Sequence, residues 1–427
     1  MNFKSFSFSQ DLLNALAELG FETLTPIQTA AIPAIRRNKD VLATAQTGTG
    51  KTAAFALPVI QRLLDTPASV RPRALVIAPT RELVEQIANN FKAFAKYTEL
   101  RTVALYGGVN HAGQDSALQA GVDVVVATPG RLLDHIRRGN LSLAEVRYLV
   151  LDEADRMLDM GFIEDIRSVI GMVADDRQLM LFSATFPPAM KNFAMTVLKQ
   201  PEIVQVSPEN TTAETVRHVV YPVDESRKQE LLSELIGKKN WQQVLVFVNM
   251  KEVADKVVAE LKLDGITATV CHGDKKQSAR RRALSEFLEG KVRVLVATEV
   301  AARGIDIVGL PRVVNFDLPF LAEDYVHRIG RTGRAGLSGQ AISFVSREEE
   351  HTLINIETLI GQRIKRYYLP GYEVASREKL VDSLMKKPGK WKKGRTNRPN
   401  SNSQASAEAQ VKNRLKIAQV RKSIKGQ

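Results

Sequence analysis

The chain has 427 residues, more than a single domain of roughly 100 to 200 residues holds, so two domains with an appendage are expected. Its 44% hydrophobic and 25% charged residues include no apolar run of the roughly 18 to 20 residues that cross a bilayer, and its one cysteine, Cys271, excludes an internal disulfide and a thiolate zinc finger. Of the net charge of +13, +12 falls on residues 376–427, where 15 Lys and Arg face three acids, so the basic character belongs to a tail and the body is nearly neutral.

The amino-terminal stretch MNFKSFSFSQDLLNAL has neither a basic start nor a continuous apolar centre, which suits a cytoplasmic chain rather than a secreted one. Apolar segments then alternate with longer stretches of helical period, as in stacked βαβ units around parallel sheets. Strand candidates in chain order are DVLATA from Asp40, RALVIAPT from Arg73, TVALYGG from Thr102, VDVVVATPG from Val122, VRYLVLDEAD from Val146 and RQLMLFSAT from Arg177. A second set follows: QVLVFVN from Gln243, TATVCHG from Thr267, VRVLVATEV from Val292, RVVNFDLP from Arg312 and GQAISFVS from Gly339. Between the sets, polar SPENTTAET reads as a linker. The expected organisation is a first α/β domain at 1–207, a linker at 208–214, a second α/β domain at 215–370 and a basic, low-complexity, disordered tail at 371–427.

The string AQTGTGKT at residues 45–52 lies after a strand and before a helical run, the context of a phosphate loop. Its residues Thr47, Gly48, Thr49 and Gly50 let backbone N–H groups curl around phosphate oxygens, Lys51 reaches the terminal phosphates and Thr52 offers a hydroxyl to Mg2+. Pro58 inside the following helix predicts a kink. Asp152, at the end of the apolar strand YLVL, suits a metal-anchoring carboxylate, and Glu153 suits a base that orients and deprotonates water. Without the phosphate loop, the same acids would read as a solvated helix start.

The DEAD string at residues 152–155 resembles the name-giving motif of the DEAD-box ATP-dependent RNA helicases. The resemblance extends over residues 3–345 in the family's order. It runs through GFETLTPIQ (20–28), PTREL (79–83), the glycine pair 107–108, TPGR (128–131) and SAT (183–185). The second half continues it with HGD (272–274), QSAR (277–280), ATEVAARGID (297–306) and HRIGRTGR (327–334). The early placement of the phosphate loop resembles the bacterial RhlE-type subgroup. The resemblance implies two RecA-like P-loop domains in tandem, with ATP and Mg2+ bound between them.

On that resemblance, Gln28 reads the adenine edge and Phe21 stacks on the base, braced by Phe3, while Asp306 contacts the ribose side. Arg331 and Arg334 are expected on one face of a helical turn, reaching the terminal phosphate as arginine fingers. Asp155, Ser183, Thr185, His327 and Arg328 would tie nucleotide state to domain closure. RNA contacts along the phosphates and 2′-hydroxyls are implied for Thr80, Arg81, Gly108, Thr128, Gly130 and Arg131 of the first domain, and for Gly273, Gln277, Arg280 and Thr298 of the second. Glu299 stands where the family usually has aspartate.

The six histidines show no HExxH string and no close pairing with cysteine or carboxylate that would make a transition-metal site, so Mg2+ is the only metal implied. The guanine-reading NKxD string of switch GTPases is absent. The expected activity is ATP-dependent unwinding or remodelling of short RNA duplexes and ribonucleoproteins, with RNA-decay or ribosome-assembly partners and no membrane. An ATP-regulated RNA clamp has the same motifs and stays open as an alternative. The tail, with Trp391 among Lys390, Lys392 and Lys393, is expected to hold RNA by salt-sensitive phosphate contacts.

Overall fold

The computed structural model describes residues 2–45, 49–206, 216–302, 307, 309–333 and 338–374. Thr47, Gly48, Asp306, Arg334, the linker at 208–214 and the chain beyond residue 374 lie outside them.

Seven parallel strands form the first sheet: β1 (Val41–Thr44), β2 (Ala74–Ile77), β3 (Thr102–Leu105), β4 (Val124–Ala127), β5 (Tyr148–Leu151), β6 (Gln178–Ser183) and β7 (Glu202–Gln205). Their spatial order is β3-β4-β2-β5-β6-β1-β7. Seven more form the second: β8 (Val216–Pro222), β9 (Val244–Val248), β10 (Ala268–Cys271), β11 (Val294–Thr298), β12 (Arg312–Asn315), β13 (Gly339–Val345) and β14 (Lys365–Arg366). These lie in the order β10-β11-β9-β12-β13-β8-β14, the same topology repeated strand for strand. Both sheets are parallel, as the duplicated βαβ pattern predicts, and RecA-like, as the resemblance implies.

Helices cover both faces of each sheet, which is why the central strands are continuous apolar runs: every residue of β2, β4, β6 and β9 is buried. One face of the first sheet packs Val76, Val126 and Phe182 against Ile32, Phe55 and Phe91; the other packs Val125, Leu149 and Leu181 against Leu132, Met157 and Phe193. Each such side chain contributes about 1.5–3 kcal/mol of burial. In the second lobe, Val246 and Phe344 meet Leu231, Leu235 and Val257, while Val220 and Ala341 meet Tyr325 and Leu353.

Three strands escaped the sequence reading. β7 is an edge strand whose Glu202, Ile203 and Gln205 are not buried, β8 carries Arg217 and His218, and β14 is two residues long. The helix Lys51–Leu64 continues through Pro58 to its end as one element. No helix among the described residues is long and apolar enough to cross a membrane. The candidate residues of the first lobe gather at the carboxyl ends of β1, β2, β4, β5 and β6, where open parallel sheets place their ligand crevices.

Candidate nucleotide and RNA site

The phosphate-loop end is held by the preceding helix. Thr25 and Gln28 form a capping box at the start of Pro26–Arg36, with Thr25 N–H donating to Gln28 Oε1 at 2.9 Å. Gln28 Nε2 then donates to the Gly50 carbonyl at 3.3 Å, linking the buried glutamine to the loop. Gly50 has φ +92°, and a Cβ there would lie 2.6 Å from Gln28 Nε2, so glycine is required on both counts. Phe21 is half-buried and meets Phe3 and Phe94 edge-on, at 6.0 and 5.6 Å between ring centres.

Lys51 begins the next helix. Its side chain is buried, and its Nζ has no hydrogen-bond partner among the described residues. Asp152 and Glu153 follow β5 and are buried too. Burial pushes the Asp152 carboxyl up to about 6, against the pull of the Lys51 ammonium. Glu153 occupies the left-handed region at φ +53°, a conformation that costs a non-glycine residue roughly 1–2 kcal/mol. A buried unpaired ammonium beside two buried carboxylates is a charge arrangement suited to the polyphosphate and cation of a nucleotide. Thr52 and Asp152 fit a hard divalent cation by donor type, one a hydroxyl and the other a carboxylate whose ionised form a cation would favour.

The two lobes meet beside this cluster. Asp155 Oδ2 accepts from Thr185 N–H at 2.8 Å and Thr185 Oγ1 at 2.7 Å, and Ser183 Oγ donates to the Thr185 carbonyl at 2.7 Å. His327 of the second lobe brings its Nε2 to 3.6 Å from Asp155 Oδ2. Burial alone would raise the Asp155 carboxyl, but His327, Arg156 and Thr185 outweigh it and hold it far below the ordinary carboxylate range. Burial keeps the His327 imidazole below its usual value, against the pull of Asp155.

Arg156, the residue after the DEAD string, was not among the sequence candidates, yet it makes a buried ionic contact across the lobes, pairing with Asp324. Its Nη2 also lies 3.9 Å from Glu299 Oε1. Glu299 Oε2 in turn accepts from Arg328 Nε at 2.6 Å, which gives this longer acid a contact on each lobe. Arg328 further donates to Asn249 Oδ1 at 2.9 Å and the Asp317 carbonyl at 2.7 Å, so it is anchored within the second lobe.

Arg331 is buried, but not on a helix as expected. The helix Ala322–Ile329 ends at Gly330, and Arg331 lies in the turn beyond, where its carbonyl accepts from Leu310 N–H at 3.0 Å.

On the other side of the seam, Thr80, Arg81, Thr128, Gly130 and Arg131 of the first lobe line a cleft with Gly273 and Arg280 of the second. Thr80 caps the helix Arg81–Phe94 through Leu83 N–H, whereas the Thr128 hydroxyl makes no cap bond to its helix. Gly108 has φ +78° and lies under the Arg81 guanidinium, 2.1 Å from where its Cβ would stand. Arg131 donates to the Val109 carbonyl and to Gln114 Oε1, each at 3.2 Å. Thr298 ends β11 half-buried and does not line the cleft.

Two RNA candidates have protein partners instead. Gln277 Nε2 donates to Glu82 Oε1 at 3.0 Å and Arg280 Nη2 pairs with the same oxygen at 2.9 Å, with Arg281 on Glu85 beside them. Glu82 and Glu85 were also missed. Their signal was the i,i+3 spacing that puts both acids on one helix face, opposite the arginine run at 280–282.

The model of the DEAD/DEAH box helicase family matches residues 25–193, and that of the helicase conserved C-terminal domain matches residues 227–336. The chain is 47% identical over 371 residues to the ATP-dependent RNA helicase RhlB of Pseudomonas putida, covering 85% of this chain and 93% of that one. It is 41% identical over 375 residues to the DEAD-box ATP-dependent RNA helicase CshA of Bacillus subtilis, covering 88% and 76%. Among solved structures, S. cerevisiae Dbp5 bound to RNA and ADP BeF3 superposes with a TM-score of 0.79 at 32% identity, over 90% of this chain and 98% of that one.

Proposed function

The chain belongs to the DEAD-box family of ATP-dependent RNA helicases, and from that premise we propose that its nucleotide cluster and its RNA cleft are completed by one and the same lobe closure. The observation that carries this reading is the seam itself: Asp155, two positions beyond Glu153, faces His327, and the adjacent Arg156 is buried against Asp324. Opening the lobes would break the nucleotide-side and RNA-side contacts together. The likeness to Dbp5 in complex with RNA and ADP BeF3, which spans both lobes, supports reading this arrangement as the engaged one.

Within that reading, Lys51 and the phosphate loop bind the polyphosphate, Gln28 and Phe21 the base, and Asp306 the ribose. Glu153 takes a proton from the attacking water, while Arg331 and Arg334 stabilise charge on the terminal phosphate. Mg2+ is assigned to Thr52 and Asp152, where it supplies charge neutralisation for the phosphates. Asp155, Ser183, Thr185, His327 and Arg328 report closure to the carboxylates. Thr80, Arg81, Gly108, Thr128, Gly130, Arg131, Gly273 and Thr298 grip the RNA backbone, with Gln277 and Arg280 holding the cleft shut through Glu82. The domain limits at 1–207 and 215–370, a basic tether from 371, a cytoplasmic location and ribonucleoprotein partners belong to the same reading. The RhlE-type placement rests on the early phosphate loop alone, whereas the relatives quoted above are RhlB and CshA.

A short RNA duplex with one labelled strand tests the reading. ATP with Mg2+ is expected to release that strand, and a non-hydrolysable analogue to support binding without repeated release. Tight ATP-dependent binding with no strand release would establish the clamp.

A further inference from the structure

Next to the RNA cleft, three ligand-type side chains converge that have no role in the ATPase cycle. His111 caps the helix Ala112–Gln119, Asp115 lies one turn on, and His135 comes from the helix Pro129–Arg137; one ligand atom of each lies within 4.8 Å of the others. The spacing of the histidines predicts no transition-metal site. That expectation fails here because helix packing brings His135 to a pair already spaced i,i+4.

His135 is wholly buried, and its Nε2 lies 3.0 Å from Gln114 Oε1. The orientation of that amide follows from its other contacts. Gln114 Nε2 donates to the Tyr106 carbonyl at 3.1 Å, and Oε1 also accepts from Arg131 Nη1. An amide oxygen has no proton to give, so His135 carries its proton on Nε2.

Its Nδ1 therefore presents a lone pair. That atom has no hydrogen-bond partner among the described residues, and it lies 3.4 Å from Asp115 Oδ1. Two electron-pair donors facing each other, one of them wholly buried, repel, and a cation between them removes the repulsion. Their separation is close to the ~3.3 Å between neighbouring ligands in a tetrahedral site with bonds of about 2.0–2.1 Å.

His111 has the complementary arrangement. Its Nε2 is 3.3 Å from Asp134 Oδ2, and its Nδ1 accepts from Arg138 Nη1. Arg138 Nη2 also lies 3.5 Å from Asp115 Oδ2, while Asn140 Nδ2 donates to Asp115 Oδ1 at 2.9 Å. A guanidinium thus already spans His111 and Asp115, and its side chain, 42% exposed, has solvent into which to withdraw.

We propose that His111 Nδ1, Asp115 and His135 Nδ1 bind one borderline divalent cation of the zinc class, which enters by displacing the Arg138 guanidinium. Two imidazoles with one carboxylate favour such an ion over Mg2+, which prefers all-oxygen sites. Gln114 Oε1, shared by His135 and Arg131, is the outer hydrogen bond that orients the ligand and joins the site to the RNA cleft.

The test uses full-length protein stripped with a chelator and titrated with Zn2+ against a chromophoric chelator in excess Mg2+. One equivalent with a Kd below about 10 μM is expected, weakened at least tenfold by His111→Ala and by Asp115→Asn, and tightened at least threefold by Arg138→Ala. Melting temperatures of the metal-free variants establish that each is folded. Absence of such an equivalent in the wild-type protein, or weakening of less than tenfold in both ligand variants, overturns the site. Unchanged affinity in Arg138→Ala overturns the displacement.

Discussion

Arg156 of the first lobe and Asp324 of the second form an ion pair in which the two side chains are 1% and 9% exposed, buried by the lobes themselves. Removing one member of a buried pair strands the other charge at a cost of about 3–5 kcal/mol. Here that cost falls on the closed arrangement alone. Asp324→Ala is therefore expected to lower RNA-stimulated ATPase activity at least tenfold while ATP binding without RNA stays near wild type. Exchanging the pair, Arg156→Asp with Asp324→Arg, should recover part of the loss; no recovery would show that the pair does not act as a unit.

Glu153→Gln keeps the size of a side chain held at φ +53° and removes its basicity. ATP and RNA binding should persist, with steady-state turnover reduced by about 10²-fold or more. Wild-type turnover in this variant would exclude Glu153 as the base.

Gly108→Ala places a methyl group on the Arg81 guanidinium at a φ of +78°. Arg81 must move, and the strained backbone costs about 1–2 kcal/mol. RNA affinity, read by fluorescence anisotropy, should fall about tenfold, with RNA-free ATPase activity unchanged. Equal losses in both would point to general destabilisation of the lobe.

His218 lies half-buried in β8, its Nδ1 2.8 Å from the Tyr325 hydroxyl, and burial lowers its imidazole pKa to about 4. The neutral ring is the form that suits the fold, and the unfolded chain takes up a proton near pH 6.5. This contribution is fully present above about pH 6.5 and is lost as pH falls from there to about 4, by at most ~1.4 kcal/mol per pH unit. A His218→Gln variant should show a flatter melting temperature across that window, measured by differential scanning calorimetry.

Truncation after Glu373 removes the +12 carried by residues 376–427. RNA affinity should drop several-fold at low salt, and its dependence on salt should become shallower, because fewer counterions are released on binding. An unchanged salt slope would leave the tail without a phosphate-binding role.

The central strands were legible because burial on both faces leaves no polar alternation in Val124–Ala127 or Val244–Val248. β7 and β14 were not, being short edges with exposed positions. In the site, the ordered motifs predicted Lys51 at the start of the helix after β1 and the carboxylates at the end of β5, where they lie. Lobe contacts have no such signature. Arg156 and Asp324 are 168 positions apart, and each reads locally as a solvated charge. Gln277 and Arg280 are plausible phosphate ligands by type, and only the packed structure brings them to Glu82. The displaced Arg331 had a readable cause, because Gly330 stops its helix.

The repeated strand order also determines how many nucleotides one chain holds. β1 and β8 occupy the same place in their sheets, but β1 leads into a glycine-rich turn, whereas β8 leads through Val223 and Asp224 to the helix Lys228–Lys238, with no glycine between residues 216 and 236. The glycine-rich string follows only the first of these two equivalent strands, so the proposed reading predicts one bound nucleotide per chain. On that reading the other half closes over the nucleotide bound by the first. On the same reading, severing the polypeptide between the lobes would separate the phosphate loop from the arginines proposed to act on its nucleotide.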